Sequence, residues 1–427
     1  MTMNRRLIRS AAVAAIGLTL AAAPGAAGAG TFVQPVTVLR TFTGPTPGQG
    51  GYFGWAVSEL RDIDHDGVTD VIIGEPQLTS AGRGRTWVYS GRTGRLIYRL
   101  HGAGSDAQGY AIADAGDVNG DGVSDIVTGA PGDGTEEGRA YLYSGATGEL
   151  IHRFTGFANG DSFGAAVSSA GDVNHDGRAD LLIGAPGTGV VGSAPGHAYV
   201  YSGRTLHRME TVSAGGSGDS FGSATDWTAD VNGDGVPDEI VGAKDAGPVP
   251  AQPGAAYVFS GRTGKRLYRI DPPATAGEFG SFFVAGVGDT NGDRIPDVYV
   301  ADYNDSANGT ASGRAAVYSG NDGHQLQAWL GRDGDGLGPG REAGDVNGDG
   351  RIDLIVGSYT SSDGASQAGK TRVFSGADGS LIRTMTSTTE NENFGFDAVG
   401  IGDTNHDGRI DYLVSAANLD TVYVIAG

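Results

Sequence analysis

Cysteine is absent from the 427 residues. No disulfide can brace the chain, and no thiol can act as nucleophile or soft-metal ligand. The signatures of common catalytic sites are missing too: no G-x-S-x-G elbow, no H-E-x-x-H and no phosphate-binding loop. Basic residues are few, 29 Lys and Arg against 50 Asp and Glu, which leaves no basic patch for nucleic acid. No apolar run approaches the ~20 residues of a membrane helix, and no helical periodicity appears after residue 25. What abounds is glycine, 76 residues, more than twice the usual share of about 7%. It has no Gly-X-Y period, which excludes collagen, and it separates short apolar runs, which reads as many tight turns between many short strands.

The first residues stand apart. Arg5, Arg6 and Arg9 precede an apolar stretch at 11–23, followed by small residues at Ala27-Gly28-Ala29. This is the pattern of a secretory leader, too short to span a bilayer. A signal peptide is therefore expected at 1–29, followed by an exported, soluble and monomeric single domain at 30–427 without a transmembrane segment. Without the three leader arginines, 26 basic residues face 50 acidic ones, a net charge of −24.

One acidic string recurs seven times, with starts 55 to 59 residues apart, and a fixed period of this size marks a repeat architecture. Its positions 1, 3, 5, 7 and 9 are Asp62, Asp64, Asp66, Val68 and Asp70 in the first unit. They are Asp117, Asn119, Asp121, Val123 and Asp125 in the second, and Asp172, Asn174, Asp176, Arg178 and Asp180 in the third. The fourth has Asp230, Asn232, Asp234, Val236 and Asp238; the fifth Asp289, Asn291, Asp293, Ile295 and Asp297. The sixth has Asp345, Asn347, Asp349, Arg351 and Asp353; the seventh Asp403, Asn405, Asp407, Arg409 and Asp411.

These strings hold 22 carboxylates, so the rest of the exported chain is nearly neutral, 26 basic against 28 acidic residues. Such local repulsion calls for a hard divalent cation with oxygen ligands. Side chains at 1, 3, 5 and 9 and the carbonyl at 7, with glycine at 6 for the sharp turn, match calcium; up to seven Ca²⁺ are expected. Position 12 is apolar, Thr128 being the mild exception, where a helix–loop–helix site needs glutamate. The loops thus connect strands. Metal-free Asp/Asn turns are the alternative, but a turn needs one or two such residues rather than four. Magnesium fits less well, since it keeps several waters. In the fifth loop Arg294 replaces the glycine at position 6, where a positive φ is costly, so a filled but weaker site is expected.

Around each loop the pattern repeats. In the third unit, strand-like runs occupy 163–173, 180–186, 197–203 and 206–212. Four strands per unit and seven units predict an all-β, seven-bladed propeller. The seventh unit ends after its third strand, while an orphan strand at 36–44 matches the fourth strands of other units, so the N-terminal strand should complete the last blade.

Phe-Gly, the acidic string and Gly-Ala-Pro together resemble the FG-GAP repeat of integrin α-subunit propellers, over essentially the whole exported chain. Phe53-Gly54, Phe163-Gly164, Phe221-Gly222 and Phe394-Gly395 stand nine residues before their loops, and Phe279-Gly280 ten. The second unit has Gln108-Gly109, and the sixth has lost the pair around Gly336. Gly-Ala-Pro is intact at 129–131 and 184–186, near-intact at Gly74-Glu75-Pro76, and drifts in later units. Seven acidic loops are more similar to secreted bacterial members than to integrins, which carry the motif in some blades. The resemblance implies the fold, the metal and an extracellular ligand-binding or adhesion role.

No catalytic constellation emerges, and a non-enzyme is expected. His65, His175 and His406 fall at position 4 of the loops, pointing outward. The acidic loops should share one face of the ring. The variable segments 75–84, 130–139, 187–196, 244–254, 302–313 and 358–369 should share the other. There Tyr303, Asn304, Asp305, Tyr359 and Asp363 are candidate contacts for an extracellular protein or glycan. A lectin or a calcium-dependent polysaccharide-active enzyme is the alternative reading.

Overall fold

The computed structural model describes residues 31–45, 50–78, 83–102, 104, 106–132, 137–187, 195–248 and 251–427. The expected leader at 1–29 and the tips of several variable loops lie outside the described residues. Among the described residues there are seven antiparallel four-stranded sheets, arranged as the blades of a propeller. The first blade has strands Val57–Leu60, Asp70–Glu75, Arg85–Tyr89 and Leu96–His101, hydrogen-bonded in that order.

The radial position of each strand explains its composition. Second strands such as Asp70–Glu75 and Asp180–Ala185 are buried along their whole length, because neighbouring blades cover both faces. They therefore read as continuous apolar runs instead of alternating. Fourth strands such as Leu150–Thr155 lie at the rim and mix exposed and buried positions. First strands pack against one another around the axis, and that of the seventh blade, Ala398–Gly400, meets that of the first.

The core is divided in the same way. Seven apolar clusters each fill one space between adjacent blades, including that between the seventh and the first. The Phe-Gly and Gly-Ala-Pro tags are the two sides of this contact. Phe53, Phe163, Phe221, Phe279 and Phe394 are fully buried. A Cβ built on Gly129 of one blade would lie 1.9 Å from the carbonyl oxygen of Gly164 in the next. Only glycine allows that approach. In the sixth unit Leu337-Gly338 takes the place of Phe-Gly: Leu337 is fully buried and bridges to Gly313, as Phe394 does to Gly369. The expectation of a lost pair near Gly336 is corrected accordingly. The pair is kept eight residues before its loop, with leucine filling the aromatic pocket.

The N-terminal strand closes the ring as expected. Val38–Thr43 pairs antiparallel with Thr421–Ile425, making it the fourth strand of the seventh blade. Among the described residues no helix is long and apolar enough to cross a membrane.

Candidate metal centre

Each acidic loop joins the first and second strands of its blade. In the third loop Asp172 accepts the N–H groups of Asp176 at 2.9 Å and Gly177 at 2.8 Å. Asn174 Oδ1 accepts from Asp176 at 2.9 Å, and Asp176 Oδ1 from Arg178 at 3.0 Å. Asp180 Oδ2 accepts from Val173 at 3.0 Å. All seven loops share the bond from position 6 to the first carboxylate. All share the bond from position 5 to the side chain at 3. The bond from position 7 to the carboxylate at 5 also recurs in every loop. These bonds hold each loop in one shape through its own backbone.

The turn demands left-handed backbone at positions 4 and 6. His65, His175 and His406 adopt φ of 60°, 58° and 62° at position 4, and their side chains are exposed. At position 6 six loops have glycine, and Arg294 takes φ 71°, the strain foreseen from sequence.

Position 9 anchors the loop. Asp70, Asp125, Asp180, Asp238, Asp297, Asp353 and Asp411 are fully buried. One oxygen of each accepts the position-2 N–H. The other accepts an N–H from a glycine at the end of the third strand: Gly91, Gly145, Gly203, Gly261, Gly320, Gly376 or Gly427. Burial pushes Asp70, Asp125, Asp180 and Asp238 up to about 6 even so. Sequence reasoning missed this hairpin partner. Its signal was the recurring aromatic-Ser-Gly, as at Tyr201-Ser202-Gly203 and Phe259-Ser260-Gly261. The serine of four such hairpins also donates to the carboxylate at position 5.

The donor set fits a hard cation. Every side-chain donor is oxygen, and a carboxylate has about four lone-pair sites, so those at positions 1 and 5 keep some for a metal beside their backbone bonds. In the first loop, the one with Asp64 at position 3, oxygens of Asp62, Asp64 and Asp70 lie within 4.8 Å of one another. In the other loops position 3 is asparagine, so fewer carboxylates gather. At position 7, Val68, Val123 and Val236 are buried in the core. Arg178 and Arg351 reach back to the preceding loop, at 3.6 Å from Asp117 and 2.8 Å from Asp289. Those arginines supply part of the counter-charge.

The candidate ligand contacts are not gathered into one open patch. Tyr303 and Tyr359 are buried, with ring centroids 6.2 Å apart. They belong to a closed circuit of Trp55, Tyr110, Phe282, Tyr303, Tyr359 and Phe396 around the propeller axis. Tyr303 Oη donates to Glu278 at 2.6 Å. Asp305 is fully buried and accepts from Arg314 at 2.8 Å, and the Asn304 N–H is held by Asp302. Asp363 pairs with Lys370 at 2.7 Å and Arg332 at 3.3 Å. The circuit was latent in the sequence. Trp55, Tyr110 and Phe396 directly follow the Phe-Gly position, and Tyr303 and Tyr359 stand where earlier units have the proline of Gly-Ala-Pro.

The FG-GAP repeat family matches residues 53–89, 109–143 and 163–201, the first three units. Together with the seven-bladed fold, these three repeats and the integrin α relatives support an FG-GAP, integrin-α-like propeller. It is 31% identical over 208 residues to integrin alpha-4 of Xenopus laevis, covering 45% of this chain and 20% of that protein. It is 35% identical over 159 residues to human integrin alpha-11, covering 33% of this chain and 13% of that one. With integrin alpha-V of Gallus gallus the identity is 31% over 211 residues, 45% of this chain and 20% of the relative. The chain thus matches about a fifth or less of the length of these relatives. Units four to seven keep the acidic loop while their Gly-Ala-Pro tags drift.

Proposed function

We propose that the FG-GAP propeller is a secreted module, loaded with up to seven Ca²⁺, that binds an extracellular protein or glycan and acts in adhesion rather than catalysis. The observation that carries this reading is the contrast between the two ends of the blades. Seven loops with one hydrogen-bond scheme form the acidic face. The loops after the second strands differ in length and sequence from blade to blade. A fixed scaffold carrying variable loops is the usual arrangement of a recognition surface. Similarity to integrin α chains supports the same reading. The calcium loops would stiffen the scaffold, and the leader at 1–29 would deliver the chain to a calcium-rich compartment.

The test is a binding screen against matrix proteins, envelope polysaccharides and glycans in millimolar calcium, repeated after chelation, with product analysis of each polysaccharide. Calcium-dependent binding without turnover supports the module. New reducing or unsaturated ends would replace it with the polysaccharide-active alternative, and binding to glycans alone would make it a lectin.

A further inference from the structure

The axis of the propeller encloses a cavity of about 1010 Å³, walled by the first strands. One end is lined by the aromatic circuit, whose members are buried apart from the partly buried Phe282. The other end is bordered by loop residues such as Asp117, Asp172 and Arg178, so the cavity opens on the acidic-loop face.

The wall does not follow the repeat. At the residue three before each loop stand Glu59, Asp114, Ser169, Trp227, Gly286, Glu342 and Gly400. One residue earlier, six blades have small or apolar side chains or Asp226, and one has Arg341. The positive groups are already engaged. Arg341 grips both oxygens of Asp397, at 2.7 and 2.9 Å, and Arg61 lies 3.8 Å from Asp114. Among the described residues Glu59, Asp226 and Glu342, from three different blades, are in no ion pair. Polar atoms in the same wall lack partners too: the hydroxyls of Ser168, 5% exposed, and Thr228, 1% exposed, and Glu59 Oε2. Unsatisfied buried polar groups are rare and call for an occupant. Trp227 also faces the cavity, with 41% of its surface open.

We propose that this channel is a binding site for a small linear polyamine, entered from the acidic-loop face. Three unpaired carboxylates are matched by several ammonium groups. Trp227 offers a π face to a cation, and the aromatic end offers apolar contact to the methylene segments. A single metal ion suits the wall poorly, because the channel carboxylates do not come within 4.8 Å of one another as a group. Burial pushes Asp226 and Glu342 up to about 7, and Glu59 above its usual range. Glu342 is open to channel water, yet lies deep enough for partial desolvation. The charged groups facing these three are Asp114, Arg341 and Asp397, so binding should weaken as pH falls through about 7. This site is distinct from the variable-loop surface, and its fate does not decide that reading.

The test titrates spermidine into the full chain in saturating calcium, followed by tryptophan fluorescence and calorimetry, with magnesium chloride at equal ionic strength as the control. One saturable site is expected, with its fluorescence change reduced in Trp227→Phe. The double variant Glu59→Gln, Glu342→Gln should bind at least tenfold more weakly, while Glu149→Gln on an outer edge should bind as the parent does. Asp226→Asn provides the same reading if the double variant does not fold. Non-saturating heat, displacement by magnesium, equal loss in Glu149→Gln, or occupation by a neutral oligosaccharide and not by spermidine would overturn the proposal.

Discussion

Ring closure rests on a strand about 380 residues distant in sequence from its partner. Consider a chain that lacks residues 31–44. It loses Phe42, 5% exposed and packed 4.5 Å from the ring of Tyr89. It also loses the pairing of Val38–Thr43 with Thr421–Ile425 and the contacts of Phe32 with Phe394 and Tyr423. Removing a buried Phe side chain costs about 3–5 kcal/mol. About four ladder hydrogen bonds at about 1 kcal/mol each bring the loss to roughly 7–9 kcal/mol. That rivals the roughly 5–15 kcal/mol stability of an entire domain. The exposed edge of Thr421–Ile425 would also invite intermolecular pairing. Thermal melting with light scattering should therefore show the shortened chain without a cooperative transition, or as an aggregate. A permutant carrying residues 31–44 after Gly427 should recover the parental melt, because Val38 already lies opposite Ile425 and a short hairpin can join them. A shortened chain that stays monomeric and melts within a few degrees of the parent would refute the reasoning.

Gly203→Ala would place a Cβ 1.9 Å from the carbonyl oxygen of Ala179 and strain the clamp on Asp180; denaturant unfolding should show a loss of about 2–4 kcal/mol, and no change would mean that the hairpin yields freely. Arg294→Gly should stabilise the chain by about 1–2 kcal/mol and tighten the fifth loop for calcium, read by melting and by competition with a chelating indicator; unchanged affinity would separate backbone strain from metal binding. Chelation should lower the melting temperature, since each site filled at a hundred times its Kd adds about 2.7 kcal/mol; an unchanged melt in EDTA would make the strings simple turns. Asp226 and Glu342 have folded values near 7 against ordinary values of 3.8 and 4.5. The stability they favour is complete below about pH 4 and is lost as pH rises through about 7. The double variant Asp226→Asn, Glu342→Gln should flatten that slope in melting profiles recorded without polyamine, and a slope equal to the parent's would place the titration elsewhere.

Much of the architecture was legible because repetition samples the same physics seven times. The loop at Asp172–Asp180 declared its turn through spacing, and the strand at 36–44 declared its partner through likeness to other fourth strands. Features that depend on radial position were hidden. Leu337 fills a phenylalanine pocket one residue out of register, and only its burial identifies it. Tyr303 and Tyr359 read as loop residues open to a ligand. Their positions in successive units in fact bring them edge to face around the axis, where an aromatic ring gains more from burial than from exposure. Gly203 read as the end of a third strand, and its use as a donor to Asp180 appears only once the hairpin folds beneath the loop.

The division between repeated and unrepeated residues has a physical cause. A residue in the loop scheme or at the glycine contact serves its own blade and a neighbour at once, so a change there disturbs the ring twice. Arg351 shows the coupling, donating its N–H to Asp349 in its own loop while its guanidinium holds Asp289 of the preceding one. Some channel positions share this double duty, as Arg341 with Asp397 and Arg61 with Asp114 do across neighbouring blades, but others do not. Glu59, Ser169, Trp227 and Glu342 line a shared space, and among the described residues their side chains make no hydrogen bond or ion pair to the next blade. Substitution there changes the contents of the cavity at little cost to closure. Chemistry specific to this chain is therefore expected along the axis and in the variable loops. Exchanging Glu59 and Glu342 for glutamine should leave the ring folded in calcium while altering what the channel holds.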